Sequence, residues 1–436
     1  MAVDTTLAEP VTLARKPTPP EGRLPPREWL RANLFSGPLN TILTVVFGAA
    51  IGWALYRMSY WVLVTADWTI VEVNLSRFMI GRFPSDQLWR PWGALYILMA
   101  TAGLALGVLT RTAEQRAEAS GAPSEATIQT EPQPLPWSLL LLLLGALRRF
   151  WPLVLATAVV LSFTRTILPT LLTGVLVAVL LLARAVGLRL GVGARWVWLI
   201  AVVGLILALQ IVSFGPGGVG WDDWGGLQLS VFATIAGIVL AFPLGLLLAL
   251  ARRSSLPGIQ TVSIAFIEVF RAVPLITLLF MGDFMIGFFL PTWMDPPSRL
   301  ARAIIAITLF EAAYVAEVVR GGLQSVPRGQ IEAAQAVGLS PTGVQRLVVL
   351  PQALRAVIPA MVGQFISLFK DTSLLAILSF PDLLRVAEVA PVADEFRGQG
   401  LKPVTLVFAG LLYWAGCITM ARESRRLERR LGVGER

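Results

Sequence analysis

GQIEAAQAVGLSPTGVQRLVVLP, residues 329–351, is a polar stretch that lies between two apolar runs of membrane-crossing length. Residues 332–337 favour a helix, and Gly338 can take the left-handed conformation that ends one. Ser340 and Pro341 then supply an N-cap and a first-turn proline for a second helix. Because so polar a loop does not belong in lipid, we predict a helix-turn-helix outside the membrane.

The same stretch has the features of a docking surface. The small side chains of Ala333 and Ala334 leave a low surface into which a partner groove can close, and the charge of Glu332 can orient that partner. Pro351 is expected to end the second helix because proline has no N–H to donate. The Glu-Ala-Ala triplet alone fits an ordinary amphipathic hairpin, but its complete spacing to Leu350 and Pro351 favours docking.

The composition is that of a polytopic membrane protein. Hydrophobic residues make up 56% of the chain, charged residues 14%, and the mean hydropathy is +0.71. The chain has no histidine and one cysteine, Cys417, so an internal disulfide and a Cys/His metal site are excluded. The net charge of +9 comes with arginines between and after the apolar runs, which indicates membrane orientation rather than nucleic-acid binding. A membrane enzyme has almost no support, because no GxSxG or metal-ligand constellation is found.

Apolar runs of transmembrane length set the architecture. The run at 259–290 is too long for one straight crossing, and we expect its helix to be kinked or broken at Pro274. The run at 150–163 is short and decides between ten spans and nine. We predict an all-α polytopic membrane protein with about ten transmembrane helices, within a range of roughly eight to ten. The remaining runs lie at 39–64, 91–110, 166–186, 197–214, 227–250, 299–319, 355–379 and 402–420.

The arginines also assign one side of the membrane to the cytoplasm. Loops that carry Arg252, Arg253 and Arg328 fall on that side, and the loop at 215–225, which carries two aspartates and no base, falls outside. Both termini are then cytoplasmic. The predicted divisions are a cytoplasmic tail at 1–36, an N-terminal transmembrane extension at 37–214 with a cytoplasmic linker at 111–136, a transmembrane domain at 221–421 and a basic cytoplasmic tail at 422–436.

Five segments of the C-terminal half match one family in order and spacing. They read GLQLSVFATIAGIVLAFPLG at 226–245, FRAVPL at 270–275, AAYVAEVVRGGLQSVPRGQIEAAQAVGLS at 312–340, VLPQALRAVIP at 349–359 and FKDTSL at 369–374. With them, residues 221–422 resemble the membrane permease subunit of an ATP-binding-cassette (ABC) importer of the polar amino acid class, which has five core helices and the type I importer fold. The long N-terminal region resembles that of general L-amino-acid importer permeases in Gram-negative bacteria. Val348 and Val273 depart from the isoleucine and threonine common in the family.

The resemblance implies a permease in the bacterial inner membrane that passes L-amino acids from a periplasmic binding protein to the cytoplasm by alternating access. Its partners would be two copies of an ATPase subunit, a second permease that family practice makes a paralogue, and membrane lipid. The loop at 327–351 would be the coupling segment that the ATPase moves. No catalytic residue, metal or cofactor is implied in this chain, and ATP and magnesium would bind the ATPase. The implied coupling residues are Glu332, Ala333, Ala334, Gly338, Leu350 and Pro351.

The lysines agree that the chain carries no nucleotide site. Lys16, Lys370 and Lys402 are its three lysines, and none follows a GxxxxG run, so no Walker A loop is present. Energy must come from another polypeptide or from a gradient. A gradient-driven secondary amino acid transporter therefore stays open as the alternative. It predicts inverted repeats with paired broken helices, and the sequence offers one break, at Pro274.

Charged residues inside the predicted spans are candidates for a translocation path, because each is costly in lipid unless it is paired or faces water. Lys370 and Asp371 are adjacent and lie about 100° apart around a helix, so they cannot simply neutralise each other. With Thr372 and Ser373 they form either a path or gate, or a polar network that fixes helix register. Asp283 is expected to face either the path or the partner permease.

Two further pairs lie at helical spacing. Glu268 and Arg271 are three residues apart and are expected to pair within one helix, the alternative being that Arg271 lies near the substrate carboxylate. Glu317 is expected to reach Arg320. Pro274, at the expected helix break, completes the candidate path.

Overall fold

The computed structural model describes residues 25–119, 145–190, 193, 196–214 and 217–431. Most of the predicted N-terminal tail, most of the predicted linker and the end of the basic tail lie outside the described residues. The chain forms two compact units, Met1–Ala66 and Asp67–Arg436.

The first unit contains helix α1 (Pro26–Asn33) and helix α2 (Pro38–Tyr60), and α2 continues as a π-helical turn over Trp61–Thr65. Together α2 and this turn make a 28-residue apolar helix, long enough to cross a membrane. Gly48 and Gly52 stand at the spacing at which membrane helices pack closely, but a Cβ built on either would meet no atom within 4 Å.

The second unit is helical throughout its described residues, apart from loops and two isolated bridges. The helix Leu350–Asp371 is preceded without a break by a helical turn, Pro341–Gly343, and a π-helical segment, Val344–Val349. The helices of this unit are α3 (Thr69–Ile80), α4 (Trp89–Ala119), α5 (Trp151–Ser162), α6 (Leu168–Arg189), α7 (Val197–Leu209), α8 (Gly226–Ala251), α9 (Pro257–Ala272), α10 (Leu275–Met285), α11 (Arg299–Ser325), α12 (Arg328–Ala336), α13 (Leu350–Asp371), α14 (Leu383–Val389) and α15 (Lys402–Leu431).

The predicted all-helical membrane fold is confirmed. Helices α9 and α10 are bent by 105° relative to each other, and Pro274 caps α10, so the predicted break is found there. Other predicted runs fall on the shorter apolar helices α5 and Val202–Phe214, and on α11, which has 27 residues and several charges. In the described part of the chain, six helices are by themselves long and apolar enough to span a membrane: Pro38–Thr65, Ser85–Thr112, Leu168–Arg189, Gly226–Ala251, Pro341–Ala376 and Lys402–Arg429.

Glycines bring several of these helices into close contact. Helix α4 lies against α6, and a Cβ built on Gly107 would lie 2.4 Å from the carbonyl oxygen of Arg184. A Cβ built on Gly103 would be equally close to the α6 backbone, 2.4 Å from the carbonyl oxygen of Leu180. Helix α8 lies against α11 in the same way, where a Cβ on Gly245 would lie 2.5 Å from a methyl group of Val315.

The N-terminal extension from α3 onward folds together with the C-terminal helices. Helix α3 packs against α8, α14 and α15, and α5 also packs against α15. Phe78 meets Phe408 edge to face, with ring centroids 5.1 Å apart. Gly81 has a φ of +70° and touches the backbone of Gly225 just before α8. The boundary predicted near residue 215 is therefore not a break in packing.

Candidate functional site

The turn of the predicted hairpin is formed by Gly338. Its φ is +84°, its N–H donates to the Gln335 carbonyl at 2.9 Å, and the N–H of Leu339 donates to the Ala334 carbonyl at 3.2 Å. These two bonds around a left-handed residue make a Schellman motif, which ends α12. The hydroxyl of Ser340 accepts the next cap bond, from the Gly343 N–H at 3.2 Å. The end of the first helix and the cap of the second are as the sequence predicts.

The expectation that Pro351 ends the second helix is wrong. The helix that starts at Pro341 runs on through the π-helical segment into α13, giving one 36-residue helix, Pro341–Ala376. Within the wide π turn the Leu350 N–H bonds five residues back, to the Gln345 carbonyl, and Pro351 stands in the first turn of the following α-helix. The wider turn shifts the hydrogen-bond register just before the proline, so the helix continues. The second arm of the hairpin is thus the beginning of a membrane-length helix.

One face of α12 is fixed to the rest of the molecule. Ala334 is buried, and Ile331 and Leu339 pack beside it on an apolar cluster that includes Val326 at the end of α11. Leu350 packs on the same cluster from the start of α13. The hairpin is therefore seated on the ends of the two helices that it connects.

The opposite face of α12 is exposed. Glu332, Ala333 and Gly338 lie on it, and Val337 is 77% exposed although its side chain is apolar. Pro351 is also exposed. An apolar, low-relief surface with an acidic residue on a short helix is suited to a shallow groove on another protein.

Helices α11 and α13 touch directly at the base of the hairpin. A Cβ built on Gly322 would lie 2.3 Å from a methyl group of Val357 and 2.7 Å from the carbonyl oxygen of Ala353. Such a contact leaves no room for a side chain at position 322. A movement of either helix near this contact is therefore transmitted to the other helix.

A charged cluster links α8, α9 and α11. Glu317 accepts from Arg320 on its own helix, with Nε at 2.8 Å, and from Arg252 at the end of α8 at 3.2 Å. The Glu317–Arg320 pair is the one predicted. The expected pair between Glu268 and Arg271 does not form: Glu268 lies 3.3 Å from Arg252, and Arg271 lies 3.9 Å from Glu317. Both side chains find partners on neighbouring helices, which spacing within one helix does not reveal.

Arg271 and Pro274 lie together at the break between α9 and α10. The Arg271 guanidinium stands over the ring of Tyr314, 5.5 Å from its centroid, as well as near Glu317. Pro274 adopts an extended conformation with ψ of 140°, which sets the bend. The bend thus lies beside α11, the helix that leads into the hairpin.

Asp283 is held inside the chain and is 2% exposed. Arg299 donates to both of its carboxylate oxygens, with Nε at 3.0 Å from Oδ1, and Arg302 donates to its backbone carbonyl. Arg299 also donates to the Leu378 carbonyl at 3.1 Å. Asp283 is therefore buried and paired within this chain. Its partner lies at the start of the next helix and was not identified from the sequence.

Lys370, Asp371, Thr372 and Ser373 do not face one way. Lys370 and Ser373 line an open cleft of about 300 Å³, together with Tyr413 and apolar residues of α14 and α15. Thr372 is fully buried, and its hydroxyl donates to the Phe369 carbonyl at 2.7 Å. Asp371 is half-buried. The structure thus places Lys370 and Ser373 at the cleft and buries Thr372.

Asp382, which follows this segment outside the membrane-spanning helices, caps α14. Its carboxylate accepts from the N–H groups of Leu384 at 3.1 Å and Arg385 at 3.0 Å. Burial raises the pKa of Asp382 to about 7, against the lowering effect of these two bonds. An aspartate just before an apolar helical run is a readable N-cap signal, and this residue was missed from the sequence. Among the described residues no acidic or cysteine cluster is placed to hold a metal ion.

Comparison with known proteins gives a consistent set of relatives. Residues 241–433 match the family described as binding-protein-dependent transport system inner membrane component. The chain is 34% identical over 459 residues to the glutamate/glutamine/aspartate/asparagine transport system permease protein BztC of Rhodobacter capsulatus, with 98% of each chain covered. It is 32% identical over 423 residues to the inner membrane amino-acid ABC transporter permease protein YhdY of Escherichia coli, with 93% of each covered.

A solved structure, described as an amino acid ABC transporter with histidines, is 28% identical and matches 47% of this chain and 92% of that chain, with a TM-score of 0.42. The two long sequence matches are the more informative, because they extend over nearly the whole of both chains at above 30% identity. The chain belongs to the family of inner-membrane permease subunits of amino-acid ABC importers.

Proposed function

We propose that the hairpin at 327–351 is the segment through which the importer's ATPase moves this permease. The observation that carries the proposal is the two-sided character of α12. On its inner face, Ala334 packs on the same apolar cluster as Leu350. Its outer face exposes Glu332 and Ala333, where a partner can bind them. Gly338 shapes the turn between the arms.

The continuity of the hairpin with two long helices supports a mechanical role. One arm follows α11 after Val326 and Pro327, and the other arm runs through Pro351 into α13 without a break. The tight contact at Gly322 joins these helices at the base. A displacement of the hairpin would tilt α11 and α13 together. The bend at Pro274, beside α11, would let the other helices adjust to this tilt, which gives alternating access.

Permeases of this family are transport components rather than enzymes, and ATP is hydrolysed on a separate subunit. That membership favours the ATP-driven importer over the gradient-driven transporter. The family implies an ATPase and a binding protein as partners. We propose two ATPase copies, which bind ATP and magnesium, and one second permease, a paralogue. The hairpin and both termini lie in the cytoplasm, as the arginines at 252, 253 and 328 support.

We propose L-amino acids with polar side chains as substrates. BztC is named for glutamate, glutamine, aspartate and asparagine, and similarity to it over 98% of the chain supports this class. Lys370 and Ser373, which line the cleft, are the residues best placed to meet a substrate, and Arg271 at the bend is the next. Asp283, Asp371 and Thr372 have supporting roles in this arrangement. The core domain is proposed at 221–421, which the family match over 241–433 supports.

A photo-crosslinking experiment tests the hairpin assignment. Cys417 is the chain's one cysteine, so a Cys417→Ser background allows a single thiol-attached crosslinker at Val337→Cys, on the exposed face. Glu395→Cys, in the loop before α15, is the matched exposed control. We expect irradiation of the purified complex to join Val337→Cys to the ATPase and to leave Glu395→Cys unjoined to it. A complex that retains its ATPase but gives no such product at position 337 would overturn the proposal.

A further inference from the structure

Glu311 is a carboxylic acid near the middle of α11, and one of its two side-chain oxygens has no hydrogen-bond partner in the described structure. It is 1% exposed, and its Oε1 accepts from the Gln364 side-chain amide of α13 at 3.3 Å. Its Oε2 is buried and has no hydrogen-bond partner in the described structure. A buried oxygen of this kind is costly to keep, and an ionisable group inside a membrane span is more often there for function than for stability.

Thr308 lies three residues earlier on the same face of α11 and shares this property. Its hydroxyl is buried and has no partner. Buried threonines elsewhere in the chain bond their own helix, as Thr234 does to the Ser230 carbonyl at 2.7 Å. Thr308 and Glu311 therefore present two unused polar atoms side by side.

Three arginines of α9 and α11 bind elsewhere. Arg299 pairs with the Asp283 carboxylate, Arg302 donates to the Asp283 backbone carbonyl, and Arg271 lies near Glu317. None of the ion pairs formed among the described residues involves Glu311. Asp371 is near enough for its negative charge to act on Glu311, and Lys370 lies next to Asp371 in the chain.

Depth and connectivity tie this site to the hairpin. Glu311 lies 14 residues before the end of α11 at Ser325, and Gln364 lies 14 residues after the start of α13 at Leu350. At a rise of about 1.5 Å per residue, each is about 21 Å along its helix from the hairpin. The two helices that close over the site are the two that leave the hairpin, so a movement of the hairpin is transmitted to the site.

We propose that Glu311, Thr308 and Gln364 bind the ammonium group of the transported amino acid in the occluded state. A carboxylate, a hydroxyl and an amide oxygen match the three N–H donors of an ammonium group. The α-ammonium group is common to all amino acids, so this site would serve substrates irrespective of their side chains. The inference rests on the proposed function and names the part of the substrate that is held.

The test uses the complete complex in proteoliposomes with substrate-loaded binding protein, and measures uptake of radiolabelled L-glutamate and L-glutamine per ATP hydrolysed. Glu311→Gln keeps the shape and removes the charge, and Thr308→Val removes the hydroxyl. We expect Glu311→Gln to lower uptake per ATP by about ten-fold or more for both amino acids, because a hydrogen bond to a charged group is lost. Thr308→Val should lower it less, and Glu311→Asp should restore part of it.

The matched control is Thr234→Val, the same substitution at a buried threonine whose hydroxyl is already bonded. It should leave uptake per ATP as in the wild type. If Glu311→Gln matches the wild type, or if its uptake and ATP hydrolysis fall together with an unchanged ratio, the ammonium site is wrong while the importer stands. A wild-type complex whose ATP hydrolysis does not respond to loaded binding protein would instead overturn the proposed function and this inference with it.

Discussion

Glu332 stands on the exposed face of α12 and forms no ion pair among the described residues, so its charge is free for a partner. We predict that Glu332→Arg weakens binding of the ATPase and lowers ATP-driven uptake by about ten-fold, because charge reversal at an interface opposes the partner's complementary charge. The fold should be unaffected, since the side chain touches solvent. Co-purification of the ATPase and uptake into membrane vesicles measure the two effects.

Glu395→Arg is the control for this change, because it reverses an equally exposed acid in the loop before α15. It should leave ATPase binding at the wild-type level. Equal binding by both variants would remove Glu332 from the coupling surface.

Asp382 gives a residue-scale prediction about pH. Because its pKa is raised to about 7 in the folded state from an ordinary value of 3.8, the folded state holds the proton more tightly. The contribution of Asp382 to stability is therefore full below pH 4 and falls as pH rises to 7. Asp382→Asn keeps the cap and should remove about 3 kcal/mol of the stability difference between pH 5 and pH 8. Thermal melting in detergent at both pH values checks this, and an unchanged difference would contradict it.

Residue roles that depend on near neighbours in sequence could be predicted, and those that depend on distant ones could not. Gly338 and Ser340 act through bonds within a few residues, so turn chemistry was enough. Asp283 and Glu268 find their partners on other helices, Arg299 and Arg252. No pattern in one sequence reports such pairings, and an acid that looks solitary along the chain can be paired in space.

At the scale of helices, the contact between α11 and α13 gives a prediction with a built-in control. Gly322→Val would force a side chain against Ala353 and Val357, and we expect it to destabilise the complex by about 1–3 kcal/mol and to impair uptake. A Cβ built on Gly321, one residue away, meets no atom within 4 Å, so Gly321→Val should change stability by less than about 0.5 kcal/mol. Melting temperature and uptake of the two variants compare them. Equal effects would mean that the close contact is not what matters.

The ion pair that connects α10 and α11 gives a second prediction at the scale of helices. Asp283→Asn keeps the shape of the side chain but removes the negative charge that faces Arg299. We expect a loss of about 1–2 kcal/mol, discounted because Arg299 is half exposed. Asp394→Asn breaks an ion pair with Arg397 whose side chains are both largely exposed, and it should have no measurable effect. Chemical or thermal unfolding of both variants is the measurement, and a similar loss in each would argue against the buried pair.

The existence of the helices was predictable because membrane-length apolar runs are a strong signal. The positions at which the helices end were harder to predict. Pro274 breaks its helix, but Pro351, chemically identical, does not, because a π-helical turn precedes it and shifts the hydrogen-bond register. That turn has no mark in composition, so sequence reasoning treated both prolines alike.

For the whole molecule, the sequence motifs of the C-terminal half led to the family, and relatives that match nearly the full length agree. The sequence motifs did not predict how the N-terminal extension packs. From α3 onward it packs against α8, α14 and α15. Contacts such as Phe78 with Phe408 join residues far apart in the chain, and single-sequence patterns carry no record of them. The extension is thus part of one folded unit with the core from Asp67 on.

We propose that this chain is the membrane part of a transporter that a separate ATPase drives through the hairpin. The most direct test is gentle detergent purification from native membranes, with mass spectrometry of the accompanying proteins and ATP hydrolysis measured with and without an amino-acid-loaded binding protein. We predict co-purification of a cassette ATPase and a second permease, with hydrolysis stimulated by the loaded binding protein and not in a Glu332→Arg complex. A solitary chain whose amino acid uptake collapses with the ion gradient would contradict the account.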